Sequence, residues 1–213
     1  MPNFSATTSK ELDAPISNPP RRQFTRKRRA LSQQARQQAA THASRHLNAL
    51  SRRLPRHAKV GLYYDGFGEL PTQPIATWCL KHGYQAYLPI VGSLGATDKR
   101  LRFAPIPQYT LTNLHTREHV LGMRQPQPSH LVWAQALDVL ICPLVAADKV
   151  GNRMGMGGGY YDRTLAYRQL GGRGKPLVIG WCYDFQVVER LQRQPWDVPL
   201  DGLMTPSGVH WFL

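Results

Sequence analysis

The glycine-rich segment that follows the most apolar stretch of the chain constrains the fold more than any other feature. Val139–Val145 (VLICPLV) is almost continuously apolar, which is typical of a strand buried on both faces of a sheet. The glycine-rich segment is Gly151–Arg163 (GNRMGMGGGYYDR), and a helix is predicted over Tyr161–Leu170. Open α/β sheets bind ligands at such junctions, beyond the carboxyl ends of their strands. The segment therefore predicts an α/β protein with a ligand site at this turn.

Short apolar stretches alternate with helical patterns along the rest of the chain. Further strands are predicted at Lys59–Tyr64, Tyr84–Ile90, Arg102–Ile106 and Leu177–Tyr183, the third of them at a sheet edge because of its prolines. One helix is predicted from Leu31 to Pro55 with Ser32 as its N-cap, and another over Thr72–His82 with Gly83 as its C-cap. Thr110–Ser129 is predicted as loop. The alternation predicts a three-layer α/β sandwich with a largely parallel central sheet.

Length and composition indicate a single domain behind a polar leader. Residues 1–20 are rich in Ser, Thr, Asn and Pro and are predicted to be disordered, and residues 21–213 are predicted to form one α/β domain. No apolar run approaches the roughly 18 residues that a membrane span needs, and no apolar signal segment lies near the N-terminus. A cytoplasmic protein without membrane contact is expected.

Positive charge is concentrated near the N-terminus. The formal net charge is +14, and Arg21–Lys59 holds twelve of the 27 Lys and Arg residues without one acidic residue. This predicts an anionic partner, and a nucleic-acid-binding module is the rival interpretation. That interpretation leaves the glycine-rich segment unexplained, and the basic region lacks interleaved aromatic residues for base stacking. No specific nucleic acid partner is therefore expected.

The glycine-rich segment has the residue types of a phosphate site. Four residues lack the Cβ that would hold the backbone away from an anion: Gly155, Gly157, Gly158 and Gly159. Arg153 and Arg163 add positive charge suited to phosphate oxygens. The spacing is neither that of a Walker A loop nor that of a dinucleotide fingerprint. Glycines alone could equally form a flexible turn, and the flanking arginines with Tyr160, Tyr161 and Asp162 favour a nucleotide site.

Leu137–Leu165 (LDVLICPLVAADKVGNRMGMGGGYYDRTL) closely resembles the signature of the 5-formyltetrahydrofolate cyclo-ligase family, also called methenyltetrahydrofolate synthetases. The resemblance extends to Arg21–Ser32, Glu69–Thr72, Leu121–Pro126, Ile179–Val188 and Trp196–Thr205. It implies the fold that also hosts sugar-phosphate isomerases and CoA transferases. The implied reaction converts 5-formyltetrahydrofolate, with or without a polyglutamate tail, to 5,10-methenyltetrahydrofolate, consuming ATP with Mg²⁺ and releasing ADP and phosphate. The formyl oxygen would be phosphorylated to an iminium phosphate. A different nucleotide-dependent enzyme on the same scaffold is the milder alternative.

The resemblance also assigns roles to individual residues. It implies an ATP site made by Ser17, Arg21, Arg153, Met154, Gly155, Met156, Gly157, Gly158, Gly159, Tyr160 and Tyr161. Ser17 stands where the family usually has Lys, so Arg22 or Arg26 could take over that contact. Arg153 and Asp162 would carry the chemistry, and Asp162 with Asp197 would hold Mg²⁺. From the residues alone, Asp162 could instead be a carboxylate that favours the first turn of a helix.

The implied folate site contains a carboxylate and flat or adaptable side chains. Glu69 would accept hydrogen bonds from the pterin, while Tyr64, Met123 and Tyr160 would form the walls of the pocket. Without the resemblance, Glu69 is as readily an acidic residue at the start of a helix, and the other three could be core residues.

Overall fold

The computed structural model describes residues 18–95, 97–106, 116–118, 124–126, 130–171 and 174–212. Two predicted site residues, Ser17 and Met123, lie outside these ranges. The helices are α1 (Arg21–Arg29), α2 (Gln33–Ser44), α3 (Leu47–Ser51), α4 (Gln73–His82), α5 (Tyr160–Leu165) and α6 (Arg168–Gly171). The strands are β1 (Lys59–Gly61), β2 (Gln85–Ile90), β3 (Arg102–Pro105), β4 (Thr116–Glu118), β5 (Arg124–Pro126), β6 (Val139–Cys142), β7 (Ala146–Asp148), β8 (Arg153–Met154), β9 (Leu177–Trp181), β10 (Val187–Val188), β11 (Gly202–Thr205) and β12 (Gly208–Trp211).

A seven-stranded sheet in the order β12-β11-β9-β6-β1-β2-β3 forms the centre of the molecule. The five inner strands, β11 to β2, pair in parallel, and only the outermost pairs, β11–β12 and β2–β3, are antiparallel. The predicted α/β class with a largely parallel sheet is confirmed, as is the edge position of β3. Smaller sheets, β10-β7-β8 and β4-β5, complete the described strands.

Strand β6 shows why helices lie on both faces of the sheet. All four of its side chains are buried. Val139 and Ile141 belong to the hydrophobic cluster that also contains residues of α2, α3 and α4, whereas Leu140 and Cys142 belong to the cluster that contains Leu165 of α5. Because successive side chains of a strand point to opposite faces, a continuous apolar run requires cover on both sides.

The predicted caps are present. Ser32 Oγ accepts a hydrogen bond from Ala35 N at 3.1 Å at the start of α2, and Gly83 ends α4 in the left-handed conformation at φ 67°. The predicted continuous helix from Leu31 to Pro55 is wrong, because the chain turns at Arg45–His46 before α3. The helix predicted over Tyr161–Leu170 is likewise interrupted, since residues 166 and 167 form a turn between α5 and α6.

Other predicted boundaries also differ from the structure. The strands predicted to reach Tyr64 and Tyr183 end at Gly61 and Trp181, where the chain leaves the sheet. The predicted loop Thr110–Ser129 contains β4 and β5. No helix among the described residues is long and apolar enough to cross a membrane.

The division predicted at residue 20 stays a prediction. In the described part of the leader, Asn18 Nδ2 donates to Gln192 O at 3.1 Å and Asn18 Oδ1 accepts from Gln192 N at 2.7 Å.

Candidate active site

The loop that follows β1 and the glycine-rich loop that follows β8 meet beside helix α1. Arg21 Nε donates to Gly155 O at 2.9 Å, so α1 touches the glycine-rich loop directly. Gly68, in the loop after β1, has φ 77°, and a Cβ there would lie 2.8 Å from Arg28 O. Only glycine allows both this conformation and this close approach. Helix α1 is thus held against both loops.

The backbone of the glycine-rich loop takes conformations that side chains with a Cβ disfavour. Gly157 has φ 96° and Gly159, which immediately precedes α5, has φ 72°. At its start, β8 pairs with β7, and Val145 N donates to Met154 O at 2.7 Å. The loop is therefore anchored at both ends, while Met156 and Gly157 between them are exposed.

Arg153 and Asp162 lie at the two ends of this loop and form an ion pair. Arg153 Nη2 donates to Asp162 Oδ1 at 2.6 Å, and the same oxygen accepts from Val198 N at 3.3 Å. The Arg153 guanidinium lies 5.8 Å from the ring centroid of Tyr161. Among the described residues Arg153 Nε is buried without a hydrogen-bond partner. Arg168 Nε is buried without a partner as well, so what distinguishes Arg153 is its place at the start of the glycine-rich loop, where an anionic or polar ligand would accept from it.

Asp197 lies in the segment that contacts Asp162, but its carboxylate stabilises its own turn. Asp197 Oδ2 accepts from Gln194 N at 2.8 Å, and the Asp197 carbonyl accepts from Gln169 and Arg193. Within the described ranges, no three His, Cys, Asp or Glu residues are grouped closely enough to hold a metal ion. Mg²⁺ bound together with phosphate needs only one or two protein carboxylates, and Asp162 fits that requirement.

Glu69 lies in the loop after β1, next to Arg28 of α1. Its Oε2 accepts from Gly66 N at 3.1 Å, and its Oε1 lies 3.5 Å from Arg28 Nη2. Burial raises the pKa of Glu69 to about 7, against the opposing effects of Arg28 and the Gly66 amide. Glu69 is thus a carboxylate whose charge is incompletely compensated, and donors from a ligand would stabilise it.

The aromatic residues predicted for the folate pocket, Tyr64 and Tyr160, lie in the loop after β1 and at the start of α5. Tyr64 and Tyr160 are half-buried. Burial, with a contribution from the Glu69 charge, raises the pKa of Tyr63 and Tyr161 well above the usual value, so both phenols stay neutral. The Tyr161 ring, whose centroid lies 5.8 Å from the Arg153 guanidinium, is thus close enough to Glu69 for the Glu69 charge to contribute to its raised pKa.

The profile of the 5-formyltetrahydrofolate cyclo-ligase family matches residues 17–206. The chain belongs to this family. It is therefore an enzyme of the ligase class. The 5-formyltetrahydrofolate cyclo-ligase of Escherichia coli strain K12 is 35% identical over 184 residues, which is 86% of this chain and 96% of the relative. That of Haemophilus influenzae is 34% identical over 174 residues, covering 80% and 85% of the two chains.

Solved structures of cyclo-ligase relatives have the same fold. The 5,10-methenyltetrahydrofolate synthetase of Aquifex aeolicus superposes with a TM-score of 0.71 at 30% identity and covers 90% of both chains. A 5,10-methenyltetrahydrofolate synthetase from Mycoplasma pneumoniae superposes with a TM-score of 0.65 at 25% identity, covering 87% of this chain and 96% of that one.

In this cyclo-ligase chain the structure brings most of the predicted ATP-site residues together around Arg153 and Asp162, and it places Glu69 beside them.

Sequence reasoning missed two residues here. Arg28 is fully buried and joins the two loops, although it looked like one member of an exposed basic run. Asp148 is fully buried and accepts four hydrogen bonds, from Val150 N, Asn152 N, Asn152 Nδ2 and Leu191 N. The Asp followed by Gly three residues later was the available signal for a tight turn.

Proposed function

We propose that this chain converts 5-formyltetrahydrofolate to 5,10-methenyltetrahydrofolate, consuming ATP with Mg²⁺ and releasing ADP and phosphate. The observation that carries the proposal is the meeting of the glycine-rich loop and Glu69 around Arg28 in a chain that belongs to this family. A loop suited to phosphates and a carboxylate suited to a pterin must lie side by side if a phosphoryl group passes between their ligands.

ATP is the proposed ligand of the glycine-rich loop. Residues 155–159 offer a backbone that an anion can approach, and Arg21 and Arg153 border it. The Arg153 guanidinium would neutralise charge on the γ-phosphoryl group as that group is transferred. Ser17 lies outside the described residues, and its contribution to the ATP site stays a prediction.

The folate is proposed to bind on the Glu69 side of Arg28. A carboxylate accepts hydrogen bonds from the N–H groups of a pterin, and Tyr64 and Tyr160 provide flat surfaces for the ring. Met123, the fourth predicted residue of this pocket, lies outside the described residues. In this proposed orientation the N5-formyl group faces the glycine-rich loop.

The proposed chemistry needs no covalent bond to the protein. The formyl oxygen attacks the γ-phosphorus of ATP, ADP leaves, and the product is an iminium phosphate. N10 then attacks the formyl carbon and gives up its proton to phosphate or solvent, the C–O bond breaks with its electron pair on oxygen, and phosphate departs, leaving the methenyl bridge. The contribution of the protein is positioning and charge neutralisation. Mg²⁺ would be held by Asp162 and phosphate oxygens, with Asp197 close by, and it would neutralise phosphate charge.

The decisive experiment follows methenyltetrahydrofolate by its absorbance after mixing purified protein with 5-formyltetrahydrofolate, ATP and Mg²⁺. Product is expected only when all three are present, and ADP should form in equal amount. Omission of ATP and chelation of Mg²⁺ are the two controls. A folded protein that binds ATP and produces no methenyl product would overturn the proposal, and other formyl-bearing acceptors would then be screened by ATP hydrolysis.

A further inference from the structure

Arg28 has the environment of an interior residue, although it belongs to the exposed basic helix α1. Its side chain is only 1% exposed. Nε donates to Phe67 O at 3.0 Å and Nη1 donates to Leu144 O at 3.1 Å. Both acceptors are backbone carbonyls, one in the loop after β1 and one in the segment after β6. These two bonds fix the guanidinium between the loops.

The third nitrogen of Arg28 faces both proposed ligand sites. Nη2 lies 3.5 Å from Glu69 Oε1 and 3.9 Å from Met156 Sδ. Both distances are longer than those of the backbone bonds, so this end of the guanidinium is held less tightly. Met156 belongs to the glycine-rich loop, and Glu69 belongs to the proposed folate pocket. One nitrogen therefore contacts the side chains of both sites.

A guanidinium in this position links the two binding events. A buried charge is costly unless it is paired, so Arg28 favours the arrangement of both loops that surrounds it. A ligand that orders the Glu69 loop fixes Arg28 Nη2 and, through it, the position of Met156. A ligand that orders the glycine-rich loop fixes Met156 and, through Arg28 Nη2, the position of Glu69. When both ligands favour the same arrangement of the loops, binding of one ligand lowers the free-energy cost of ordering the loops for the other.

We propose that Arg28 is a positioning residue that makes the binding of nucleotide and folate mutually favourable, an inference that rests on the proposed function. The coupling passes through Nη2 to Glu69 on one side and to Met156 on the other. Arg28 itself contacts neither ligand in this scheme. Lysine cannot reproduce its action, because its donors all lie on one nitrogen, whereas Arg28 reaches its partners from three nitrogens held in one plane.

The experiment measures binding of a non-hydrolysable ATP analogue with Mg²⁺ by calorimetry, with and without saturating 5-formyltetrahydrofolate. In the native protein the folate should tighten nucleotide binding about fivefold or more. In Arg28→Lys this factor should fall towards one. Glu69→Gln, which removes the charge that faces Arg28, should lower the coupling factor as well. The double variant should lose no more of this factor than Arg28→Lys does alone.

Arg168→Lys is the matched control. Arg168 is also buried and ion-paired, with Asp201, but among the described residues it makes no hydrogen bond or ion pair to either loop. Thermal melts of the variants separate loss of folding from loss of coupling. The control should be destabilised and yet retain the native coupling factor.

Three results would overturn the inference. The first is native coupling in Arg28→Lys. The second is an equal loss of coupling in Arg168→Lys, which would make the effect one of general stability. The third is a native protein that binds both ligands independently. A native protein that binds neither ligand would instead refute the proposed function itself, and the inference with it.

The pH profile of folate binding gives a second measurement, which tests the contact between Arg28 and Glu69 on which the coupling depends. The charged and titratable groups near Glu69 are Arg28 of α1, Asp65 of the same loop, Tyr63 and Tyr161, and the Gly66 amide donates to its carboxylate. Arg28 favours the ionised carboxylate, so Arg28→Gln should move the midpoint of folate binding to higher pH than in the native protein. An unchanged midpoint in a folded variant would contradict the proposal.

Discussion

Two arginine–aspartate pairs in this molecule are similar in geometry and differ in what surrounds them. Arg153 Nη2 and Asp162 Oδ1 lie 2.6 Å apart at the ends of the glycine-rich loop, and Arg168 Nη2 and Asp201 Oδ2 lie 2.8 Å apart, between α6 and the segment before β11. Both arginines are buried. The Asp162 side chain is 22% exposed, whereas that of Asp201 is 5% exposed.

The hydrogen bonds explain the difference. Asp201 accepts from Arg168 with both oxygens and from Val178 N at 2.8 Å, so it joins α6, β9 and the segment before β11. Asp162 accepts with one oxygen only among the described residues, and it borders a loop of glycines. In the first pair both carboxylate oxygens are used within the interior, whereas the second keeps a carboxylate oxygen for a ligand. The Nε of each arginine is buried without a partner among the described residues, so the difference between the pairs lies in the aspartates.

The largest expected effect is on stability at the interior pair. Asp201→Asn should lower the free energy of unfolding by about 3–5 kcal/mol, because it leaves the Arg168 charge buried without its partner. Asp162→Asn should lower it by only about 1 kcal/mol, because the amide oxygen can still accept the bonds and the site is partly exposed. Urea unfolding followed by circular dichroism measures both. Equal losses would remove the distinction between the two pairs.

The next effect is on activity, which should depend on Asp162 of the loop pair and not on Asp201 of the interior pair. Asp162→Asn should lower kcat by about 10²–10³-fold at saturating ATP and Mg²⁺, because charge at the transferred phosphoryl group is no longer balanced. Asp201→Asn, assayed at a temperature where it remains folded, should keep kcat within a few fold of the native value. Full activity of Asp162→Asn with Mg²⁺ saturating would show that the site assignment is wrong.

A third pair, Arg28 and Glu69, lies between these extremes and predicts a pH dependence. The pKa of Glu69 is raised to about 7 by burial, so the carboxylate that a pterin needs forms only as pH rises through that value. Folate affinity should increase about tenfold between one pH unit below and one above the pKa. Titration of folate binding against pH checks this, and Glu69→Gln should abolish the dependence.

The same shift of the Glu69 pKa lowers the stability of the folded state as the pH rises, whereas the rise in pH strengthens folate binding. Because the folded pKa lies above the ordinary value of 4.5, the folded state holds its proton more tightly than the unfolded state. This contribution to stability is fully present below pH 4.5 and is lost as the pH rises through about 7. Glu69→Gln should therefore flatten the stability profile in that window. A native profile that is already flat there would show that Glu69 titrates normally.

Local patterns in the sequence predicted the parts of the molecule that depend on neighbouring residues. The buried strand at Val139, the cap at Ser32 and the glycine-rich turn all follow from side-chain type and spacing within a few positions. The resemblance to the family added Arg21, Glu69 and Asp162 as candidates. None of these inferences needed knowledge of a distant contact.

The parts that could not be predicted depend on contacts between distant residues. Arg28 meets Leu144, 116 positions away, and Arg168 meets Asp201, 33 positions away. In the sequence, Arg28 is indistinguishable from the exposed arginine that follows it, because only the packing of α1 decides which of the two is buried. The turn at Arg45–His46 is equally hidden, since the apolar spacing of a helix continues across it.

The smallest effect concerns the loop that separates Arg153 from Asp162. Gly159→Ala should lower the free energy of unfolding by about 1–2 kcal/mol, because φ 72° is unfavourable for a residue with a Cβ. Gly208→Ala, where φ is ordinary and no atom lies within 4 Å of the added Cβ, should change it by less than about 0.5 kcal/mol. If Gly159→Ala weakens ATP binding beyond this loss of stability, the loop conformation is itself part of the nucleotide site. If ATP binding is unchanged, Gly159 serves only to begin α5. The nucleotide is then held by Arg153 and Asp162 rather than by the loop between them.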